Sequence, residues 1–506
     1  MAVNQIKAGV ILNYVVIGLN GLVGLLYTPY MLRMMGQSEY GLYSLVASVI
    51  AYMTIMDFGF GNAIVRYTAK FRAEGKSEEQ YSMFGMFAIL YSVIGLLALI
   101  GGAVLYFNVE NLFGDTMTVV EVSRAKTMMA IMTFNLAISF PMGIYGSIIT
   151  AYEDFVFQKS LNIVRIVLNT VVMICLLHFG YKAVAMVVVQ TVFNLLTFVA
   201  NYIYCKRKLS IRFTFSKFRW GFLKEVAIYS FWIFLNAIMD RIYWSTGQFV
   251  LGVVSGTAAV AVFALAISLE NIYMSFSTAV VGVFLPRVSG MVAKKATDKE
   301  VSDLFVKTGR IQYAILAFIL SAFIVFGRQF VALWAGDGYS EVYTITLLFF
   351  VSLLVPLIQN MGITILQARN QMRFRSVLYI VIASVSFVGQ ILLGKWFGAI
   401  GCAVSVSMAL ILGQGVIMNI YYKHKQRIDI VRFWVEIVKM SPVPVIMTIV
   451  GVWVTSRHEI SGVIDFVVGI VVFTSAYLPM FWHFGLSSEE RNMVARMFRR
   501  RGSLAL

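Results

Sequence analysis

Long apolar blocks, each about 20–25 residues and separated only by short polar gaps, dictate what this chain can fold into. A helix rises about 1.5 Å per residue, so one such block crosses a hydrocarbon core of about 30 Å. Fourteen blocks are recognisable, near 8–31, 41–64, 82–106, 127–150, 157–179, 183–204, 222–252, 258–286, 308–333, 341–366, 376–394, 399–422, 433–455 and 462–484. Composition agrees: the 506 residues are 60% hydrophobic and only 13% charged, with a mean hydropathy of +0.82. A soluble domain carries about 25% charged residues, so this chain cannot cover itself with polar surface. The pattern predicts an all-α polytopic membrane protein. Lys7 is the sole cation before the first block and no small-residue cleavage site follows it, so the block reads as a retained helix rather than a leader.

The net charge of +17 reports topology rather than nucleic-acid binding. With the N-terminus placed in the cytosol, 31 of the 41 Lys and Arg fall on the cytosolic side. Seven lie outside (Arg33, Arg124, Lys126, Lys182, Arg328, Lys395 and Arg457) and three within spans (Arg165, Arg241 and Lys439). That asymmetry follows the positive-inside rule, and an even number of spans returns both termini to the cytosol. The basic tail 491–501, with Met493, Met497 and Phe498 interleaved, is either a topology anchor or a segment lying on anionic headgroups.

The chain repeats itself. Asn20 matches Asn236 and Tyr27 matches Tyr243; Gly36 matches Gly256, Arg66 matches Arg287 and Pro141 matches Pro356, all in order and at offsets of 215–221. Helices one to six (1–207) and seven to twelve (208–425) therefore read as two six-helix bundles. An even helix count gives both copies the same orientation, related by a pseudo-twofold along the membrane normal. Residues 426–506 add two further helices and the basic tail. Arg66 and Arg287 mark the cytosolic mouth of each copy. Asp57 has no acidic mate: Thr278 occupies its place.

No loop is long enough to form a catalytic domain, no phosphate-binding glycine motif is present, and Gly59-Phe-Gly61 lacks the strand and helix of a dinucleotide fingerprint. The histidines are scattered, and Cys175, Cys205 and Cys402 are far apart, so neither a metal site nor a disulfide framework is expected. No cofactor is predicted. A duplicated bundle of this kind points to a secondary transporter or flippase rather than an enzyme.

Charge within a bilayer is costly, about 2.5–3.5 kcal/mol per residue on insertion scales, so intramembrane ionisable groups are the candidate chemistry. Asp240 and Arg241 are neighbours in helix seven, where Asn236 and Asp240 share a face with Trp232 and Tyr243 nearby. Arg241 is either functional or part of a structural ion pair. Glu270 in helix eight either pairs with Arg241 or titrates in proton coupling. Arg165 in helix five either faces a cavity or snorkels to the interface. Asp57 either pairs with Arg165 or a neighbour, or forms a coupling or gating site near the mouth. Glu436, Lys439 and Asp465 read as interfacial. The repeat-mate prolines Pro141 and Pro356 predict matched kinks, as hinges for alternating access or as fixed packing.

The stretch LRMMGQSEYGLYSLVASVIAYMTIMDFGFGNAIVRY (32–67), with Gly36, Tyr40 and Gly41 in a Gly-x-x-x-Tyr-Gly turn and an Asp-x-Gly segment ending at Arg66, resembles the N-terminal signature of the polysaccharide transport, or Wzx-type, flippases. These belong to the multidrug/oligosaccharidyl-lipid/polysaccharide exporter superfamily, whose six-plus-six-plus-two layout the whole chain is similar to. The resemblance implies two bundles around a central cavity. It also implies transport of undecaprenyl-pyrophosphate-linked oligosaccharide across a bacterial inner membrane, for O-antigen, capsule or exopolysaccharide assembly. Its implied partners are that lipid-linked glycan, membrane lipids, protons or sodium, and other glycan-assembly proteins. Arg241 and Arg165 would suit the pyrophosphate, because guanidinium binds phosphate oxygens bidentately. Asn20, Asn236 and Tyr243 would meet sugar, and Asp57, Asp240 or Glu270 would couple or gate. The competing readings are a cation-coupled multidrug extruder, which wants an acidic cavity, and a membrane glycan polymerase, which wants a large external loop.

Overall fold

The computed structural model describes residues 5–215, 220–293, 296–369, 371–458, 462–488 and 490–492. The side chains of Lys7, Trp232 and Arg287, and the basic tail beyond Asn492, lie outside what it describes. All regular structure among the described residues is helical, and every expected apolar block is helical, with interruptions inside 41–64, 341–366 and 433–455. Among the described residues, twelve segments are long and apolar enough to cross a membrane. One of them, Arg373–His424, spans 52 residues and turns at Gly398 (φ 58°), so it contains two of the expected spans. The seventh expected block lies within a further 35-residue helix, Trp220–Val254. The protein is thus an all-α, multi-pass membrane protein, and the described residues accommodate fourteen helical spans. It divides into two compact units, Met1–Ala264 with Phe387–Cys402, and Leu265–Ser386 with Ala403–Leu506.

The first unit contains α1 (Gln5–Met35), α2 (Gln37–Met53), α3 (Phe60–Ala73), α4 (Ser77–Phe113), α5 (Val119–Ala151), α6 (Phe155–His178), α7 (Ala183–Arg207), α8 (Trp220–Val254) and the start of α9 (Thr257–Ala293). Its glycine signature has a mechanical reason. Gly36 turns the chain from α1 into α2 at φ 84°, and Gly256 turns it from α8 into α9 at φ 82°, a backbone conformation that a Cβ disfavours. The matched glycines therefore make matched turns. Gly41 serves close packing instead: a Cβ there would run into the backbone carbonyl of Thr257. Small residues likewise let α4 approach α5, where a Cβ on Gly95 would lie 2.6 Å from the Ala137 carbonyl oxygen. We expect Gly41→Ala to destabilise the folded protein by about 1–3 kcal/mol through overpacking, read as a lowered thermal midpoint in detergent. A native midpoint would show that α2 and α9 can separate without cost.

The second unit contains the remainder of α9, then α10 (Asp298–Trp334), α11 (Glu341–Ile358), α12 (Met361–Ala368), most of α13 (Arg373–Leu410), α14 (Met418–His424), α15 (Ile430–Met440), α16 (Pro442–Arg457) and α17 (Val463–Met480). The repeat-mate prolines behave differently. Pro141 sits inside the continuous α5, whereas α11 stops two residues after Pro356 and the chain resumes as α12. Interrupted helices in a membrane need their polar groups satisfied by neighbours. Here Gln359 and Asn419 exchange reciprocal amide hydrogen bonds of 2.8 and 3.1 Å, the Trp434 indole donates to Asn419 (2.9 Å), and Asn360 donates to Ser277 (3.2 Å).

A buried guanidinium ties α10, α15 and the segment after α17 together. Arg310 is 7% exposed and grips Glu490 with two bonds of 2.7 Å. It also donates to the Glu436 carboxylate at 2.8 Å and to the Gly485 carbonyl at 3.3 Å. Glu436, expected at the interface, bridges Arg310 and Lys439 (2.6 Å).

Candidate functional site

A polar cavity of about 360 Å³ lies within the first unit, walled by α1, α5, α6 and α7. Arg165, Asn169 and Thr170 reach it from α6, Asn20 from α1, Asn135 from α5, and Gln190 and Asn194 from α7. Spacing explains the grouping: residues 165 and 169, and 190 and 194, are four apart and share a helix face. Carboxamides are expensive inside a bilayer unless they face water or one another, and these do. Asn194 donates to Asn135 (2.8 Å), and Tyr43 donates to Gln190 (3.1 Å). Arg165 donates to Asn162 at 3.0 Å. No carboxylate lines the cavity, and no acid forms an ion pair with Arg165 among the described residues. The arrangement offers one positive charge and a ring of neutral donors and acceptors, which suits an anion carrying hydroxyl groups.

Asp57 sits where the second span breaks. Its 3-10 turn, Thr54–Asp57, leads through two left-handed residues, Phe58 (φ 52°) and Gly59 (φ 74°), into α3. The carboxylate accepts a 2.6 Å hydrogen bond from the Tyr91 hydroxyl. Among the described residues it bonds to this neighbour and forms no ion pair with Arg165. Asp57→Ala should cost about 1–3 kcal/mol by leaving the Tyr91 hydroxyl without its acceptor. Asp57→Asn keeps an acceptor and should fold normally. If Asp57 couples transport to protons, the Asn variant loses the pH dependence of transport at native stability; an unchanged pH profile removes that role.

The α8 candidates are elsewhere. Asp240 is exposed, Asn236 and Arg241 are partly exposed, and none of them lines the polar cavity. Tyr243 is completely enclosed, so its ring packs and presents no surface to a sugar. Arg66 is exposed on α3, its guanidinium 5.6 Å from the Tyr67 ring. In the second unit, Glu270 is 1% exposed and neither carboxylate oxygen has a hydrogen-bond partner among the described residues. A separate, largely apolar cavity of about 550 Å³ lies among α10, α16 and α17, lined by Phe326, Met447, Val450, Val468 and Phe473, with His458 and Asp465 on its wall. It is suited to a hydrocarbon chain. Sequence reasoning missed the amides Asn135, Asn169, Gln190 and Asn194; their regular helical spacing within apolar spans was the available signal.

The fold is similar to that of several solved transporters. One is described as the lipid II flippase MurJ in an inward closed conformation (TM-score 0.71, 15% identity, covering 94% of this chain and 97% of that one). Another is an inward-facing multidrug resistance MATE family transporter of the MOP superfamily (TM-score 0.60, 15% identity, 80% and 99%). A third is the MATE multidrug transporter DinF-BH (TM-score 0.58, 14% identity, 84% and 96%). At such identities the likeness is one of fold. No curated protein sequence matches the chain. Residues 6–292, more than half of the chain and including the entire polar cavity, match the model of the polysaccharide biosynthesis protein family, and it is to this family that the protein belongs.

Proposed function

We propose that this protein is a flippase that moves an undecaprenyl-pyrophosphate-linked oligosaccharide from the cytosolic to the external leaflet of a bacterial inner membrane, by alternating access and with both termini in the cytosol. The observation that carries this reading is the amide-ringed Arg165 cavity inside the first unit. A guanidinium without a carboxylate partner attracts phosphate, and carboxamides match sugar hydroxyls. The same electrostatics disfavour an organic-cation extruder, which needs acids in its cavity. Family membership and a fold similar to that of a lipid II flippase support the reading. The two six-helix repeats, 1–207 and 208–425, with 426–506 appended, would be the moving parts, and the apolar cavity among α10, α16 and α17 would accept part of the prenyl chain.

A head bearing about two negative charges leaves an inside-negative cell with roughly 4.6 kcal/mol of help per 100 mV. Ion coupling through Asp57, Asp240 or Glu270 would then serve to reset the carrier. Proteoliposomes containing a labelled undecaprenyl-pyrophosphate oligosaccharide test the function directly. Protein-dependent leaflet exchange supports it. No exchange under an imposed potential or pH gradient rejects it and turns attention to organic-cation efflux. Glu270→Gln preserves side-chain volume and should leave exchange under a potential intact while abolishing any stimulation by a pH gradient. Unaltered stimulation would exclude Glu270 from coupling.

A further inference from the structure

Arg165 is not the only cation held on that side of the first unit by neutral groups alone. Lys159 lies six residues nearer the start of α6, about 9 Å along the helix axis, and its ammonium donates to the Asn13 side chain of α1 at 2.8 Å. Lys159 is partly buried and forms no ion pair among the described residues. Just below this bond α1 and α6 close together: a Cβ on Gly9 would lie 2.6 Å from the Phe155 Cβ. Above it the helices part into the cavity that Arg165 lines. Positions 159, 162 and 165 fall within a stripe about 120° wide on α6, so both cations rise from one side of the helix.

Two positive charges on one stripe, each bonded only to a carboxamide among the described residues, leave a local excess of +2 there. Desolvated charge without a counter-charge is costly, and a diphosphate presents oxygens on two phosphorus atoms, one for each cation, where a monophosphate presents them on one. Lysine and arginine side chains are long enough to converge across the 9 Å between their attachment points. We infer that Lys159 and Arg165 together form a two-cation site that selects a diphosphate head over a monophosphate, with Asn13 holding Lys159 in place until the ligand arrives. This inference rests on the proposed transport of a lipid diphosphate.

The test uses the full chain in nanodiscs and compares binding of undecaprenyl diphosphate with undecaprenyl monophosphate. The native protein should prefer the diphosphate by roughly tenfold or more, the scale of one charge-assisted contact. Lys159→Gln, which can still reach Asn13, should bring that preference to within about twofold of parity, with the diphosphate losing more affinity than the monophosphate. Lys159→Arg keeps the charge and should keep the preference. A preference that survives in Lys159→Gln overturns this inference and leaves the transport reading standing. If the native protein binds neither lipid, both fail together. If the effect of Lys159 instead follows the phosphatidylglycerol content of the disc, its partner is a bilayer headgroup and the two-cation site is rejected.

Discussion

Arg165→Ala is expected to slow leaflet exchange of the lipid-linked glycan by about ten- to a hundredfold. The guanidinium has five donors, of which one bond to Asn162 is made within the protein and the others are available toward the cavity. A hydrogen bond to a charged group is worth about 1.5–3 kcal/mol, and each 1.4 kcal/mol is a factor of about ten. The fold should survive the change, because Arg165 neutralises no carboxylate and its removal orphans none. Arg165→Lys should fall between native and Ala, since lysine keeps the charge and loses the bidentate fork. Exchange in reconstituted vesicles decides the matter. A native rate in the Ala variant would discard the cavity as the binding site and direct attention to Arg241 on α8.

The second large effect is on stability. Arg310→Met should cost about 3–5 kcal/mol, the scale of breaking a buried pair while leaving its partner behind. Glu490 would be stranded nearly buried, while Glu436 would retain Lys439. The double change Arg310→Met with Glu490→Gln should recover much of the loss, because the price of burial falls on the unpaired charge rather than on the missing bond. Thermal midpoints in detergent measure both. A single variant as stable as native would show that the C-terminal segment is not held through Arg310.

The same network predicts a pH dependence. Burial pushes the Glu490 carboxyl up, but the hydrogen bonds from Arg310 and from the Ser487 backbone outweigh it and hold the group below its ordinary value. A group depressed in the folded state contributes stability above its unfolded pKa and loses it as pH falls through its folded pKa. Acidification should therefore lower the native midpoint more than that of Glu490→Gln.

How much could be read in advance varied with the range of the interaction. The second span read as one continuous block, 41–64. The structure breaks it at Phe58 and Gly59, because two left-handed residues in succession cannot continue a helix. The only local signal was the closely spaced glycines of Asp57-Phe-Gly59-Phe-Gly61. The partner of Asp57 was not legible either, since Tyr91 lies 34 positions away. The Arg310 cluster was invisible for the same reason, joining residues 126 and 180 positions apart. Tyr243 illustrates the reverse, since its helical face was legible but its complete enclosure depends on neighbours that spacing alone does not name.

By itself the sequence determined that this is a helical membrane protein, where its spans lie, and that Gly36 and Gly256 hold matching places along the chain. Hydrophobic length and backbone sterics act within a few residues, so they leave their trace in the order of the chain. Only the tertiary structure decided that Arg165, rather than Arg241, shares a cavity with five carboxamides, that Asp57 accepts from Tyr91, and that Glu270 is enclosed without a hydrogen-bond partner among the described residues. Those facts depend on which helix faces which. In a bilayer that is settled by close packing and by the pairing of a few polar side chains across helices, and neither is encoded in any single span.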